Sequence, residues 1–134
     1  MVGEPWGTLG DEVRLVVPAD PGMLRLTRLT ASSMVGRLGY SYDEVEDVRL
    51  AVDELCWAIT GIGAEGSSLA LVCTVLDGAV QFEGHLISGA GSAGEAITLS
   101  SMTSRILERL VDSFEILAPN GTNGPGFRMV KRRA

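Results

Sequence analysis

Two adjacent carboxylates, Asp53 and Glu54, stand in an otherwise apolar stretch, EDVRLAVDELCWAIT, residues 46–60. In a helix Glu54 has Leu50, Ala51, Trp57 and Ala58 as its i±3 and i±4 neighbours, so no cation lies within one turn of it. Asp53 has Arg49 one turn back and is expected to pair with it. Local spacing leaves three readings of Glu54 open: a catalytic base, the remnant of one, or a charge at the edge of a buried face.

The other residues that could do chemistry are few. His85 is the only histidine, which leaves little for a Ser/His/Asp triad, and it is expected on a solvated strand face. Cys56 and Cys73 each lie in an apolar run and read as small core residues rather than redox or metal groups. With no Cys/His cluster there is no zinc site to propose. GAGSAG, residues 89–94, matches the dinucleotide pattern G-x-G-x-x-G. That pattern works only after a buried parallel strand and before a helix whose amides meet pyrophosphate. Here it follows the half-polar arm of a hairpin, and Glu115 falls inside the next strand rather than at its end, so it reads as a flexible connection. The tripeptide NGT, residues 120–122, reads as a turn.

The chain has 134 residues, 46% of them hydrophobic and 21% charged, with a net charge of −6. This suits one globular domain, residues 1–134, and is too apolar for disorder. An acidic balance argues against nucleic-acid binding, since phosphate contacts need a basic surface. The run LALVCTVL, 69–76, is far too short to span a bilayer, and no signal peptide is apparent, so the expectation is a soluble cytoplasmic protein without membrane contact. Acids gather in DEVED, 43–47, and bases in KRR, 131–133. These are expected to be a solvated helix face and a solubilising tail, with an electrostatic partner surface as the alternative.

EVRLVV, 12–17, reads as a strand. Asp20 as N-cap and Pro21 at the first helical position open a helix whose apolar face is Leu24, Leu26, Leu29, Met34, Val35 and Leu38, closed at Gly39. Ser41 and Glu44 form a capping box for a second helix that Gly61 can end, with Val45, Val48, Val52, Leu55 and Ile59 as its buried stripe. Two runs around Asp77-Gly78 predict a hairpin with Val80, Phe82 and Leu86 on one face and Gln81, Glu83 and His85 on the other. A third helix near 99–112 and a strand pair, SFEILA and GFRMVKR, complete the order β-α-α-β-β-α-β-β. That order implies an α+β two-layer sandwich, with helices on one face of a mainly antiparallel sheet. Arg25 and Arg28 near the start of the first helix oppose its dipole; local reasoning reads them as a solvated face, with a contact surface as the alternative.

This order, together with VRLAVDELCWAIT and ILERLVDSFEIL…GFRMVKR, resembles the anti-sigma-factor serine kinases of bacteria, in the histidine-kinase-like ATPase superfamily (the Bergerat fold). The resemblance implies Glu-x-x-x-Asn on the second helix, with Glu as general base and Asn holding Mg²⁺ on ATP. Glu54 matches the base, but the Asn position is Ala58, and a methyl group cannot ligate a hard cation. The family's Asp-x-Gly-x-Gly box falls on Ile87, Gly89 and Gly91, so its adenine-binding Asp is replaced by Ile87. Its phosphate Gly-x-Gly falls on Ser101 and Thr103. With these positions degenerate the expectation is no bound cofactor or metal, Glu54 as a vestigial base, and a non-catalytic regulator. The partners implied are an alternative sigma factor and/or an anti-anti-sigma protein, and the implied assembly is a homodimer. The resemblance also implies a partner contact at an arginine early in the first helix, which falls on Arg28, with Arg25 beside it. The alternatives are a working ATP-dependent serine kinase and a dimeric scaffold or small-ligand sensor on the same fold.

Overall fold

A computed structural model describes residues 12–60, 66–87, 97–121 and 123–134. The elements are β1 (Glu12–Pro18), α1 (Leu24–Arg37), α2 (Tyr42–Thr60), β2 (Ser68–Leu76), β3 (Ala79–Ile87), α3 (Ser101–Leu110), β4 (Ser113–Leu117) and β5 (Asn123–Arg132). The strands form one sheet in the order β1-β2-β3-β5-β4, and every neighbouring pair is antiparallel. The expected element order and two-layer architecture are those observed. Gly61 and the glycine-rich segment 89–94 lie outside the described residues.

Each element forms for a local reason. Asp77-Gly78 makes a two-residue turn, with Gly78 at φ +70 and Leu76 opposite Ala79, so the hairpin register is set at its tip. Ser41 and Glu44 cap α2 reciprocally, the Ser41 amide donating to Glu44 Oε1 at 2.8 Å and the Glu44 amide to Ser41 Oγ at 3.1 Å. Asp20 caps only a short 3₁₀ turn, Pro21–Met23, through the Gly22 amide, and the α-helix proper starts at Leu24. Ser100 caps α3.

The core lies between sheet and helices. It takes Val48, Val52, Leu55 and Ile59 from α2, Leu24, Ala31 and Val35 from α1, and the alternate strand residues Leu69, Leu71, Cys73, Val80, Phe82, Phe127 and Met129. Each such aliphatic side chain contributes about 1.5–3 kcal/mol relative to exposure. Three expectations are corrected here. Leu26 and Leu29 are exposed rather than buried; Thr27 and Ala31 take their place in the core of α1, because the inward row runs 24, 27, 31, 35. Val45 is only half-buried. The basic run 131–133 is a clamp rather than a tail. Lys131, with its side chain 12% exposed, bridges Asp47 of α2 at 3.3 Å and the Leu110 carbonyl of α3 at 2.7 Å. Arg133 donates to the Leu38 carbonyl that ends α1.

His85 is also not solvated: its side chain is 18% exposed and its Nε2 meets Glu83 at 2.8 Å. The cause is a pair of glycines where β3 meets β5. Gly84 lies opposite Phe127 and Gly126 opposite His85. A Cβ on Gly84 would meet Phe127 Cζ at 2.8 Å, and one on Gly126 would meet His85 Nδ1 at 2.7 Å and collide with the Gly84 carbonyl oxygen. Each glycine therefore leaves room for a ring from the opposite strand, one on each face of the sheet. Gly126→Ala is expected to cost about 1–3 kcal/mol through overpacking, seen as a lower urea midpoint at unchanged m-value; an unmoved midpoint would show that the strands separate without strain.

Candidate functional site

The capping box fixes where α2 starts, and its buried stripe fixes its rotation. Val48, Val52, Leu55 and Ile59 point at the sheet, so Leu50, Glu54 and Trp57 must point outward, and all three are exposed. Glu54 is therefore a solvent-facing carboxylate, with no hydrogen bond or ion pair among the described residues. Ala58 sits one turn on, half-buried against the core. Asp47, two turns before Glu54, is held by Lys131. The position where the resemblance expects a metal ligand offers only a methyl group, and no cluster of three or more metal-capable side chains occurs among the described residues.

The remaining expected nucleotide-site positions that are described fall on two elements. Ile87 ends β3, half-buried between Ser68 and Asn123. Gly89 and Gly91 lie outside the described residues. Ser101 and Thr103 form the first turn of α3, which packs beside α2. There the Thr103 amide donates to Ser100 Oγ at 3.1 Å. One of the amides that a helix end offers to an anion is thus satisfied by the chain's own cap. Glu54 and Ala58 are thus brought together on one helix, one turn apart, with a methyl group rather than a side-chain oxygen at 58.

Arg28 and Asp53 meet across the two helices, Arg28 Nη1 lying 3.2 Å from Asp53 Oδ1 with both side chains about a third exposed. This corrects the expected Asp53–Arg49 pair. Arg49 instead makes two hydrogen bonds to Glu46, at 3.2 and 2.7 Å; its guanidinium holds the Glu46 carboxyl below the usual range. Asp53 is left for the cation arriving from α1. Arg25 is exposed on the same helix as Arg28. Local sequence reasoning missed the Arg28–Asp53 pair because its partners are 25 positions apart and no periodicity links them.

On the opposite face of the sheet Arg128 joins Glu83 at 3.0 Å and Glu115 at 2.7 Å. Burial pushes Glu83 up, but the hydrogen bonds from His85 and Arg128 outweigh it and hold its carboxyl below the usual range. His85 Nδ1 is buried without a hydrogen-bond partner among the described residues.

No protein-family profile matches the chain. Curated proteins do. The chain is 46% identical over 46 residues to the serine-protein kinase RsbW of Bacillus subtilis (strain 168), a match covering 34% of this chain and 29% of that protein. RsbW of Listeria monocytogenes serotype 4b is 40% identical over 47 residues, 35% of this chain and 30% of that protein. The matches thus span about 30% of these relatives' own length. Among solved structures, the crystal structure of the RsbU and RsbW domains of Rv1364c from Mycobacterium tuberculosis aligns with a TM-score of 0.62 at 16% identity, over 91% of this chain and 32% of that one. That likeness shows a shared fold.

Neither cysteine adds chemistry to the site. Burial pushes the Cys56 and Cys73 thiols up to about 12, so almost no thiolate exists near neutral pH. Ellman's reagent at about pH 8, close to an ordinary thiol's pKa, is expected to label neither cysteine in the native protein and both in denaturant. Rapid labelling of the native chain would contradict this packing.

Proposed function

We propose that this chain is a member of the anti-sigma-factor serine kinase family, a reading supported by its matched segment, and that it is a regulator that acts by binding protein partners without transferring phosphate. The observation that carries this reading is Ala58 beside Glu54: the general base stands where the family keeps it, and the side chain that would hold Mg²⁺ does not exist. Catalysis of phosphoryl transfer is mainly positioning and metal electrostatics, so a base without a metal ligand accomplishes little. Ile87 in place of the adenine carboxylate and the self-capped start of α3 support the same conclusion. In this reading Gly89 and Gly91 remain from the nucleotide box without their acid, and ATP binding is lost.

The partners proposed from the family are an alternative sigma factor and/or an anti-anti-sigma protein, bound in the cytoplasm by a homodimer in which residues 1–134 form one domain of each chain. No helix among the described residues is long and apolar enough to cross a membrane. Arg28 is the principal contact, steadied by Asp53, with Arg25 beside it. Surface cations that meet a complementary partner change encounter rate and specificity.

Two measurements test the reading. Isothermal titration with Mg-ATP is expected to give no heat at micromolar concentrations; micromolar binding, or transfer of radiolabelled phosphate to a partner serine, would establish the working kinase instead. In pull-downs from native cytoplasm Arg28→Glu is expected to weaken partner capture about tenfold or more, and unchanged capture would remove Arg28 from the interface.

A further inference from the structure

After its first residue Tyr42, α2 exposes only Asp43, Leu50, Glu54 and Trp57. On a helix of 3.6 residues per turn these four lie along one narrow seam, with Leu50 and Trp57 two turns apart, about 10.5 Å. Leu50 is 45% exposed and Trp57 57%. A half-pair of charges borders the seam on each side: Asp53 bound to Arg28 of α1, and Asp47 bound to Lys131 of β5. Asp43 and Glu54, the carboxylates of the seam itself, have no cation among the described residues. The helix as a whole carries Asp43, Glu44, Glu46, Asp47, Asp53 and Glu54 against one cation, Arg49.

We propose that this seam is a docking surface for a basic amphipathic helix of the protein partner, which rests on the binding function proposed above. The seam alternates apolar and acidic groups at the spacing by which one helix reads another. Its occupant must bring apolar side chains to Leu50 and Trp57 and lysine or arginine to Asp43 and Glu54. A cation reaching Glu54 also passes the Trp57 ring, where it gains a cation–π contact. An exposed tryptophan and leucine flanked by ion pairs supply the apolar anchors and the charged rim of an interface. Glu54 then has a present role: it is a charge that selects the partner.

The probe is a fluorescein-labelled helical peptide of about four turns, with leucines at the spacing of Leu50 and Trp57 and lysines or arginines between them. Its anisotropy is read against the whole chain. Wild type is expected to bind it; Trp57→Ala and Leu50→Ala should each weaken binding about tenfold or more. Glu54→Gln should weaken it several-fold and reduce its salt dependence, and a version with glutamates for the basic residues should not bind. Val16→Ala, on the exposed face of β1, should change nothing. No binding by wild type, equal binding of the acidic peptide, or an unaffected Trp57→Ala would overturn the seam. So would release of the peptide by Mg-ATP, which returns Glu54 to a nucleotide site, or self-association of the chain that Trp57→Ala abolishes. If wild type captures a protein through Arg28 but ignores the peptide, the seam alone fails; if it captures none, the binding function fails with it.

Discussion

The rotation of α2 is the constraint on which the rest depends. Val48, Val52, Leu55 and Ile59 are fully buried against the sheet, and burying a single apolar face leaves the helix no freedom to turn about its axis. Rotation by one residue would expose that row and bury Asp53 or Glu54 without a partner, at a cost of several kcal/mol per charge. The placement of Glu54, Leu50 and Trp57 in solvent, of Asp53 toward α1 and of Asp47 toward β5 is therefore a consequence of the core.

Charged side chains then fix the layers to each other. Lys131 ties the end of β5 to α2 and to the last turn of α3, and the Tyr40 hydroxyl donates to the Lys131 carbonyl. Glu44 closes the cap of α2 and also accepts from the Ala134 amide; these hydrogen bonds hold its carboxyl below the usual range. Their contribution is present above the ordinary carboxylate pKa and is lost as the pH falls through the lowered value in the folded state. Most of these pairs are partly exposed and individually modest. Their use is orientation: Lys131 and the Ala134 amide tie the C-terminal end of β5 to α2 and α3.

Much of this was legible in the sequence. The Asp77-Gly78 turn, the Ser41–Glu44 box and the buried stripe of α2 are local signals, and each gave the element where it occurs. What failed was set by choices that local spacing cannot rank and by partners distant in the chain. Arg49 has a carboxylate one turn away on each side and takes Glu46, and Asp53 meets Arg28 because α1 crosses it there. Leu26 and Leu29 looked like core residues because leucine at helical spacing suggests burial, yet the row facing the sheet carries Thr27 and Ala31. His85 seemed solvated because strand alternation is blind to the glycine opposite it. The basic run 131–133 resembled a tail because composition does not reveal that its strand ends against three helices.

The site and the fold also separate in energetic terms. Glu54 and Thr103 are not in the buried core, Ser101 is exposed, and Ala58 and Ile87 are half-buried. Exchanges at the exposed Glu54 and Ser101 leave the buried stripe of α2 untouched, and surface substitutions of this kind generally fall within about 0.5 kcal/mol. Glu54 shows the asymmetry. As a base it needs a ligand at position 58 to hold the metal it serves; as a surface charge it needs only the rotation of α2, which the core already enforces.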